Sequence, residues 1–310
     1  MSSNIVCIGS ALIDELFFCE DKPILGTSNP ARSIKKTGGV MTNIARHLAL
    51  LNHKVTYLTA LGNDEDALWL KQKLQQDGIC MKYSRSEEEE TGKYLSILHP
   101  DGSLFTAACA DSCAKYIDIN YLIENTEILK EADLIVTDTN IDSKALQWLI
   151  DFCNQSNLSL IVEPVSVAKA AKLRPLHTNG LFMITPNEDE LKALTLHQNN
   201  SANEIISALL ENGIKFIWLR KGSEGSVLYS KECTLSLPAC SIDVKDSTGA
   251  GDAALAGWIS AFTKSADLNY CLKTGHALAY EVLQIKGAVL TDLNPEKLNL
   301  IVDKYYPNEQ

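Results

Sequence analysis

Short apolar runs alternate with longer stretches whose apolar residues recur at helical spacing over much of this chain. The short runs predict buried strands at residues 5–9, 54–59, 134–138, 158–162, 181–184 and 216–219. The longer stretches predict helices at residues 44–51, 66–76, 143–154, 167–173, 188–194 and 202–212. Because strands that alternate with helices usually pair in parallel, the pattern predicts an α/β fold with a doubly wound, mostly parallel sheet.

Two regions interrupt this alternation and predict a second, smaller sheet. Residues 17–37 have mixed polarity with prolines and a glycine, which favours short extended pieces joined by turns. Residues 94–98 and 104–108 flank the sequence His-Pro-Asp-Gly, which is a strong hairpin signal. We therefore expect a small β lid over the ligand edge of the main sheet, with lid segments at about 15–37 and 92–111.

Residues 246–252 read Asp-Ser-Thr-Gly-Ala-Gly-Asp and precede an apolar, helix-forming run; two final helices are expected to close the chain. The small residues let a ligand approach the backbone, and the N–H groups at the start of the following helix favour an anion. Asp252 adds a carboxylate to a site suited to negative charge, which points to a base that takes a proton from an attacking hydroxyl. The alternative is a glycine-rich turn in which Asp252 only caps the helix.

Composition limits the classes of function. The chain has 310 residues, a formal net charge of −11 and a pI near 5.1, which argues against general binding of nucleic acid or an anionic membrane. Nine scattered cysteines without a Cys-x-x-Cys pair predict free thiols in a reducing compartment. Without a signal peptide or a long apolar segment, we expect a cytoplasmic protein of one domain spanning 1–310, with no membrane partner.

Polar residues near the predicted strand ends are further candidates. Asp14 follows the first strand, where it is suited to binding sugar hydroxyls, although a simple turn residue is equally consistent with its position. Gly38 and Gly39 precede a helix in which Asn43 is suited to bind a ligand; the alternative is a plain turn, with Thr42 or Asn43 as the helix cap.

Together these motifs resemble the ribokinase-like (PfkB) family of sugar and nucleoside kinases over nearly the whole chain. Residues 246–252 match the catalytic signature of that family, and Gly38-Gly39 with Asn43 resembles its sugar-binding signature. Asn187-x-x-Glu190 matches a motif tied to magnesium and phosphate, and residues 220–225 resemble its nucleotide-binding turn. The resemblance implies a three-layer sandwich with a β lid, and it implies ATP and Mg²⁺ as cofactors.

The resemblance also implies a role for each site residue. Asp252 would be the base, and the anion hole would be formed by Gly249, Ala250 and Gly251. The implied substrate-binding residues are Asp14, Ser28, Gly38, Gly39, Asn43, Asp111 and Asn140. The implied nucleotide-binding residues are Asn187, Lys221, Gly222, Gly225 and Thr248. Glu190 and Asn187 would act on the metal through water, with helix capping as the alternative for both and a surface charge as the alternative for Lys221.

Within the family, the chain is most similar to the pseudouridine kinases. The likeness rests on Ser28-Asn29-Pro30 and on Pro164-Val165-Ser166 with Lys169, whereas Met41 replaces a small residue of the sugar loop. It implies ATP-dependent phosphorylation of the 5′-hydroxyl of a small nucleoside, pseudouridine, and homodimerisation through the lid. The alternatives are a ribose, fructose or purine-nucleoside kinase, and a non-catalytic nucleoside sensor. A nicotinamide-cofactor enzyme is excluded because no Gly-x-Gly-x-x-Gly follows the first strand.

Overall fold

The strands and helices follow the predicted alternation. A computed structural model describes residues 2–197, 199–264 and 267–307. Its strands are β1 Asn4–Ile8, β2 Leu12–Cys19, β3 Ala31–Gly38, β4 Lys54–Leu58, β5 Ala60–Gly62, β6 Arg85–Glu87, β7 Lys93–Leu98, β8 Leu104–Ala110, β9 Leu134–Asp138, β10 Leu160–Glu163, β11 Met183–Ile184, β12 Phe216–Arg220, β13 Ser226–Tyr229 and β14 Thr234–Leu237. Its α-helices are α1 Val40–Leu50, α2 Glu65–Gln76, α3 Ile119–Glu124, α4 Thr126–Lys130, α5 Ser143–Ser156, α6 Val167–Ala170, α7 Glu188–Ala193, α8 Ala202–Glu211, α9 Ala250–Phe262, α10 Leu268–Leu283 and α11 Pro295–Tyr305.

The main sheet has the order β14-β13-β12-β11-β10-β9-β1-β4. The strands from β12 to β4 are parallel, and β13 and β14 extend the sheet as an antiparallel hairpin. The order reverses direction between β1 and β9, and ligands of open α/β sheets bind at the carboxyl ends of strands at such a point. The predicted doubly wound α/β fold is therefore confirmed. Its switch point identifies the sheet edge at which polar side chains are expected to bind a ligand.

A separate four-stranded sheet has the order β3-β2-β7-β8. β2 pairs antiparallel with β3 and parallel with β7, and β7 pairs antiparallel with β8 across the predicted Asp-Gly turn. The predicted small β lid is confirmed, because both interrupting regions of the sequence contribute strands to this sheet.

Helix α9 is buried along most of its length, from Asp252 to Ala261. It crosses α10 at very short range: a Cβ on Gly257 would lie 2.8 Å from the carbonyl oxygen of Thr274, and one on Gly275 would lie 2.7 Å from that of Ala254. The contact needs glycine on both helices, so the position of α9 is fixed by direct backbone packing.

Some elements differ from the sequence prediction. Although the two final helices expected after the 246–252 loop and its helix α9 are present as α10 and α11, other parts of the chain are not as predicted. The short helices α3 and α4 and the edge strand β14 were not predicted at all. No helix within the described residues is long and apolar enough to cross a membrane.

Candidate active site

The loop at 246–252 is held in place from both sides. The side chain of Asp246 accepts hydrogen bonds from the backbone N–H groups of Thr248 (2.9 Å) and Gly287 (3.0 Å). Gly249 adopts φ 77° and precedes α9, and a Cβ there would lie 2.5 Å from the Cβ of Ala288. Glycine is therefore required for both conformation and space, and the loop leads directly into the N-terminal N–H groups of α9.

Asp252 lies in the first turn of α9 and is only 8% exposed. One carboxylate oxygen accepts a 2.8 Å hydrogen bond from Nδ2 of Asn43. Burial raises the pKa of Asp252 to about 7, although the Asn43 hydrogen bond and the charge of Arg220 act in the opposite direction. A carboxylate that titrates near neutral pH is a suitable base for a proton from a hydroxyl group.

Asn43 lies in the first turn of α1, next to the sheet edge. The residue that precedes this helix is Gly39 at φ 98°, and no side chain caps the helix, so the expected cap by Thr42 or Asn43 is wrong. Asn43 is 7% exposed, and its Oδ1 has no hydrogen-bond partner among the described residues. Since buried acceptors are normally paired, this oxygen is available to a ligand hydroxyl.

Asp14 and Gly38 occupy neighbouring strands of the lid sheet, β2 and β3. A Cβ on Gly38 would overlap the carboxylate of Asp14, so the glycine makes room for that carboxylate. Burial raises the pKa of Asp14 to about 6, against the opposing charge of Lys36. The structure therefore brings two of the predicted substrate residues into direct packing.

Asn140 and Asp138 form a polar pair at the carboxyl end of β9. The backbone N–H and Nδ2 of Asn140 each donate a 2.8 Å hydrogen bond to the Asp138 carboxylate, and Lys169 donates to Oδ1 of Asn140. Burial raises the pKa of Asp138 to about 6, and the nearby charge of Asp111 raises it further. Asp111 therefore lies in the same region, whereas Ser28 is exposed on the loop between β2 and β3.

A cleft of about 800 Å³ contains both the candidate base and the predicted nucleotide turn. Its lining includes Asp252, Gly251, Glu190, Asn187, Gly222 and Gly225. Lys221 is adjacent to this turn and forms ion pairs with Glu188 and Glu224 at 3.8 and 4.0 Å. Thr248, a predicted nucleotide-binding residue, is exposed on the 246–252 loop.

Asn187 and Glu190 form a capping box at the start of α7. Each side chain accepts a 2.9 Å hydrogen bond from the backbone N–H of the other residue. Burial raises the pKa of Glu190. The helix-capping alternative is therefore part of the structure, and the same two residues also line the cleft.

A network at the wall of this cleft joins Arg220, which belongs to the predicted nucleotide-binding turn, to Glu163 and Thr185, which sequence reasoning gave no role. Nη2 of Arg220 donates to both carboxylate oxygens of Glu163 at 2.7 and 2.8 Å, and it also donates to the backbone oxygen of Thr185. The hydroxyl of Thr185 donates to Glu163 at 2.6 Å. Glu163 ends β10, and Asp138 ends the adjacent parallel strand β9. A polar residue at the carboxyl end of a predicted strand is the sequence signal that could have revealed the role of Glu163.

Val165 lies next to this network in an unusual backbone conformation. Its φ is 69°, and the N–H of Ser166 donates a 2.8 Å hydrogen bond to the carbonyl of Pro164, which closes a γ-turn. A positive φ is costly for a β-branched residue, and such strain is concentrated at functional sites. Val165 also lines the cleft that contains Asp252.

The sequence profile of the pfkB family carbohydrate kinases matches residues 2–295. The chain belongs to this family. Kinases of the pfkB family are phosphotransferases with an alcohol acceptor, so the family match assigns this class of reaction to the chain.

Individual relatives agree with the pfkB assignment. Pseudouridine kinase of Escherichia coli K12 is 33% identical over 83% of this chain and 82% of its own length. A nucleoside kinase of Methanocaldococcus jannaschii is 29% identical over 92% of this chain and 91% of its own length. Ribokinase of Arabidopsis thaliana, solved with ribose and ATP, has a TM-score of 0.83 at 21% identity and covers 97% of this chain and 99% of its own. The chain is thus a pfkB-family phosphotransferase with the ribokinase-like fold.

Proposed function

We propose that this pfkB kinase transfers the γ-phosphoryl group of ATP to the 5′-hydroxyl of pseudouridine. The observation that carries the reaction type is the buried Asp252, paired with Asn43 at the first turn of α9. The pseudouridine acceptor is supported by the 33% identity to the Escherichia coli enzyme and by the 28–30 and 164–166 segments. ATP is supported by the ribokinase that was solved with it.

Asp252 would take the proton of the 5′-hydroxyl as its oxygen forms a bond to the γ-phosphorus. The bond between that phosphorus and the β–γ bridging oxygen breaks, and ADP leaves. The backbone N–H groups of Gly249, Ala250 and Gly251 would stabilise the negative charge on the phosphoryl oxygens. Asn43 keeps the Asp252 carboxylate oriented by its 2.8 Å hydrogen bond.

The acceptor would lie between the lid sheet and the switch point of the main sheet. Asp14, Gly38, Gly39 and the unpaired Oδ1 of Asn43 would bind ribose hydroxyls. The remaining predicted substrate residues, Ser28, Asp111 and Asn140, would face the ribose or the base. Pseudouridine has a ring N1–H that uridine lacks, so a well-placed acceptor would reject uridine strongly.

The residues of the cleft fit a Mg²⁺ ion that enters with the nucleotide. No group of three His, Cys, Asp or Glu residues is assembled as a metal site in the part of the chain that the structure describes. The cleft instead offers the carboxylate of Glu190 beside Asn187, and Mg²⁺ usually keeps several waters and takes one or two carboxylates in addition to phosphate oxygens. Glu190 and Asn187 would hold the ion through water, and when bound it would neutralise phosphate charge.

A homodimer through the lid is part of the proposal. Strand β8 is an edge strand whose residues are mostly exposed, and Leu104 is 56% exposed. An unprotected edge with apolar residues favours pairing with a second copy of the chain. We expect a dimer in sedimentation velocity and a monomer for Leu104→Lys; a wild-type monomer at micromolar concentration would contradict dimerisation.

Buried free thiols such as Cys7 and Cys153 fit the proposed cytoplasmic location.

A substrate panel tests the proposed function. Purified protein with ATP and Mg²⁺ would be offered pseudouridine, uridine, ribose, fructose, inosine and adenosine, and ADP release would be followed. We expect kcat/KM for pseudouridine to exceed that for uridine by at least about 10²-fold. Preference for a sugar or a purine nucleoside would leave the role of Asp252 intact and refute the acceptor. Binding of ATP without turnover of any acceptor would instead favour a nucleoside sensor.

A further inference from the structure

The large cleft has an unusual charge distribution for a nucleotide site. Among the described residues that line it, Arg220 is the single Lys or Arg, whereas Glu163, Glu190 and Asp252 are acidic. His276 also lines the cleft, but burial lowers its pKa to about 4, so it is neutral at pH 7. The transferred phosphoryl group of ATP is negatively charged, so the one cation on this wall, beside Gly251 and the candidate base, is placed where that charge needs compensation.

The two terminal nitrogens of Arg220 have different surroundings. Nη2 donates three hydrogen bonds, two to the carboxylate of Glu163 and one to the carbonyl of Thr185. Nη1 lies beside the anion-binding loop: a Cβ on Gly251 would be 2.6 Å from it. Glu163 is itself buried and is fixed by the hydroxyl of Thr185. One half of the guanidinium is thus held rigidly, and the other half faces the loop.

We infer that Arg220 is a catalytic residue whose Nη1 binds an oxygen of the phosphoryl group during its transfer. The inference rests on the phosphotransferase activity and not on the choice of acceptor. Arg220 neither gives nor takes a proton: the new O–P bond forms, the bond to the ADP oxygen breaks, and the guanidinium stabilises the charge on the equatorial oxygens. Its rigid attachment means that little reorganisation is needed when that charge develops.

Glu163 is then a positioning residue with a second effect on the base. The charge of Arg220 lowers the pKa of Asp252, and the charge of Glu163 raises it. An unpaired Arg220 next to Asp252 would make that carboxylate a weaker base. Because Glu163 binds Nη2, its negative charge offsets the effect of Arg220 on the pKa of Asp252. Nη1 remains available for the phosphoryl group.

Substitution of Arg220 separates the role in transfer from a role in nucleotide binding. Arg220→Lys keeps the charge, and Arg220→Met keeps much of the volume. Both variants remove the planar guanidinium, and with it the pair of terminal nitrogens that can bind two partners at once. We expect kcat to fall by about 10²- to 10³-fold, as for removal of a donor to a transition-state oxyanion. The Kd for ADP, measured by calorimetry, should change by less than about 3-fold, because ADP lacks the transferred group.

Arg46→Lys is a matched control. Arg46 also has 17% of its side chain exposed, as Arg220 does, and it is also ion-paired, with Asp77 at 2.5 Å. It does not line the cleft that contains Asp252, which leads us to expect kcat within about 2-fold of wild type. Wild-type turnover in the substrate panel is measured first, so that a failure of the proposed acceptor is seen independently of any Arg220 variant.

Chemical rescue provides a readout that a merely structural role would not change. For Arg220→Ala, added guanidinium should raise kcat by at least about 10-fold, saturably, whereas equal concentrations of Na⁺ or urea should not. Absence of rescue in a folded Arg220→Ala protein, or kcat within about 3-fold of wild type for Arg220→Met, would overturn the assignment. An equal loss of ADP affinity and of kcat would also overturn the assignment. Arg220 would then bind the nucleotide equally well before and during phosphoryl transfer, and would not act on the transition state in particular.

Discussion

Replacement of Asp252 by asparagine should inactivate the enzyme and, at the same time, stabilise the folded protein at neutral and higher pH. The carboxylate is the proposed base, so we expect kcat to fall by at least about 10²-fold. Nucleotide binding should be largely retained, because the N–H groups of the loop do not depend on this side chain. The gain in stability follows from the pKa of Asp252, which burial raises from 3.8 to about 7.

The sign of this effect follows from proton binding. Between these two pKa values the folded state holds a proton that the unfolded state has released. The group therefore favours the folded state most at low pH, and this contribution is lost as pH rises to about 7. About two pH units separate pH 5 from that pKa, so the free energy of unfolding of wild type should fall by about 3 kcal/mol relative to the variant between pH 5 and pH 8.

Urea unfolding of both proteins at pH 5, 6, 7 and 8 measures this difference. Asp14 and Asp138 also titrate with raised pKa values, but they are present in both proteins, so the difference between the two curves reports Asp252 together with its charge interaction with Asp138. Parallel curves would refute the reasoning about its burial. Near-normal turnover of the variant would refute its role as the base.

Three other changes test separate parts of the site. Gly38→Ala should displace the Asp14 carboxylate and raise KM for the acceptor by about 10-fold while KM for ATP changes little, as initial rates would show; equal changes would contradict this. Glu190→Gln should shift the Mg²⁺ titration of activity upward, with the exposed Asp189→Asn as control, and an unchanged titration would remove Glu190 from the metal role. Val165→Gly should stabilise the fold in urea by about 1 kcal/mol by relieving its positive φ, and more than Asn157→Gly, because asparagine tolerates that region; no gain would argue against strain.

Local chemistry made much of this structure predictable from sequence. The loop at 246–252 needs glycines and a following helix, and both requirements are visible within a few residues. The Asp-Gly turn between β7 and β8 is equally local, and the long apolar periodicity of α5 left little doubt about its type. The mostly parallel sheet followed from the order of the elements alone.

Contacts between residues that are far apart in the chain could not be predicted from the sequence. Arg220 and Glu163 are 57 residues apart, and they meet only because β12 and β10 end at the same edge of the sheet on either side of β11. The positive φ of Val165 follows from packing around the γ-turn, since nothing in its residue type favours it. The start of α1 was misjudged because Gly39 takes the cap position while Asn43 turns towards Asp252, so a tertiary contact overrides the usual capping preference.

The glycine contact between α9 and α10 has a consequence for how such an enzyme can change over generations. Gly257 and Gly275 leave no space for a side chain, so α9 and α10, which follow the proposed phosphate-binding loop, can change only together. The proposed acceptor site is different, because β2 and β3 carry many half-buried or exposed residues that can vary one at a time. A laboratory search for new acceptors should therefore randomise these strands and their connecting loop, and leave α9 and α10 unchanged.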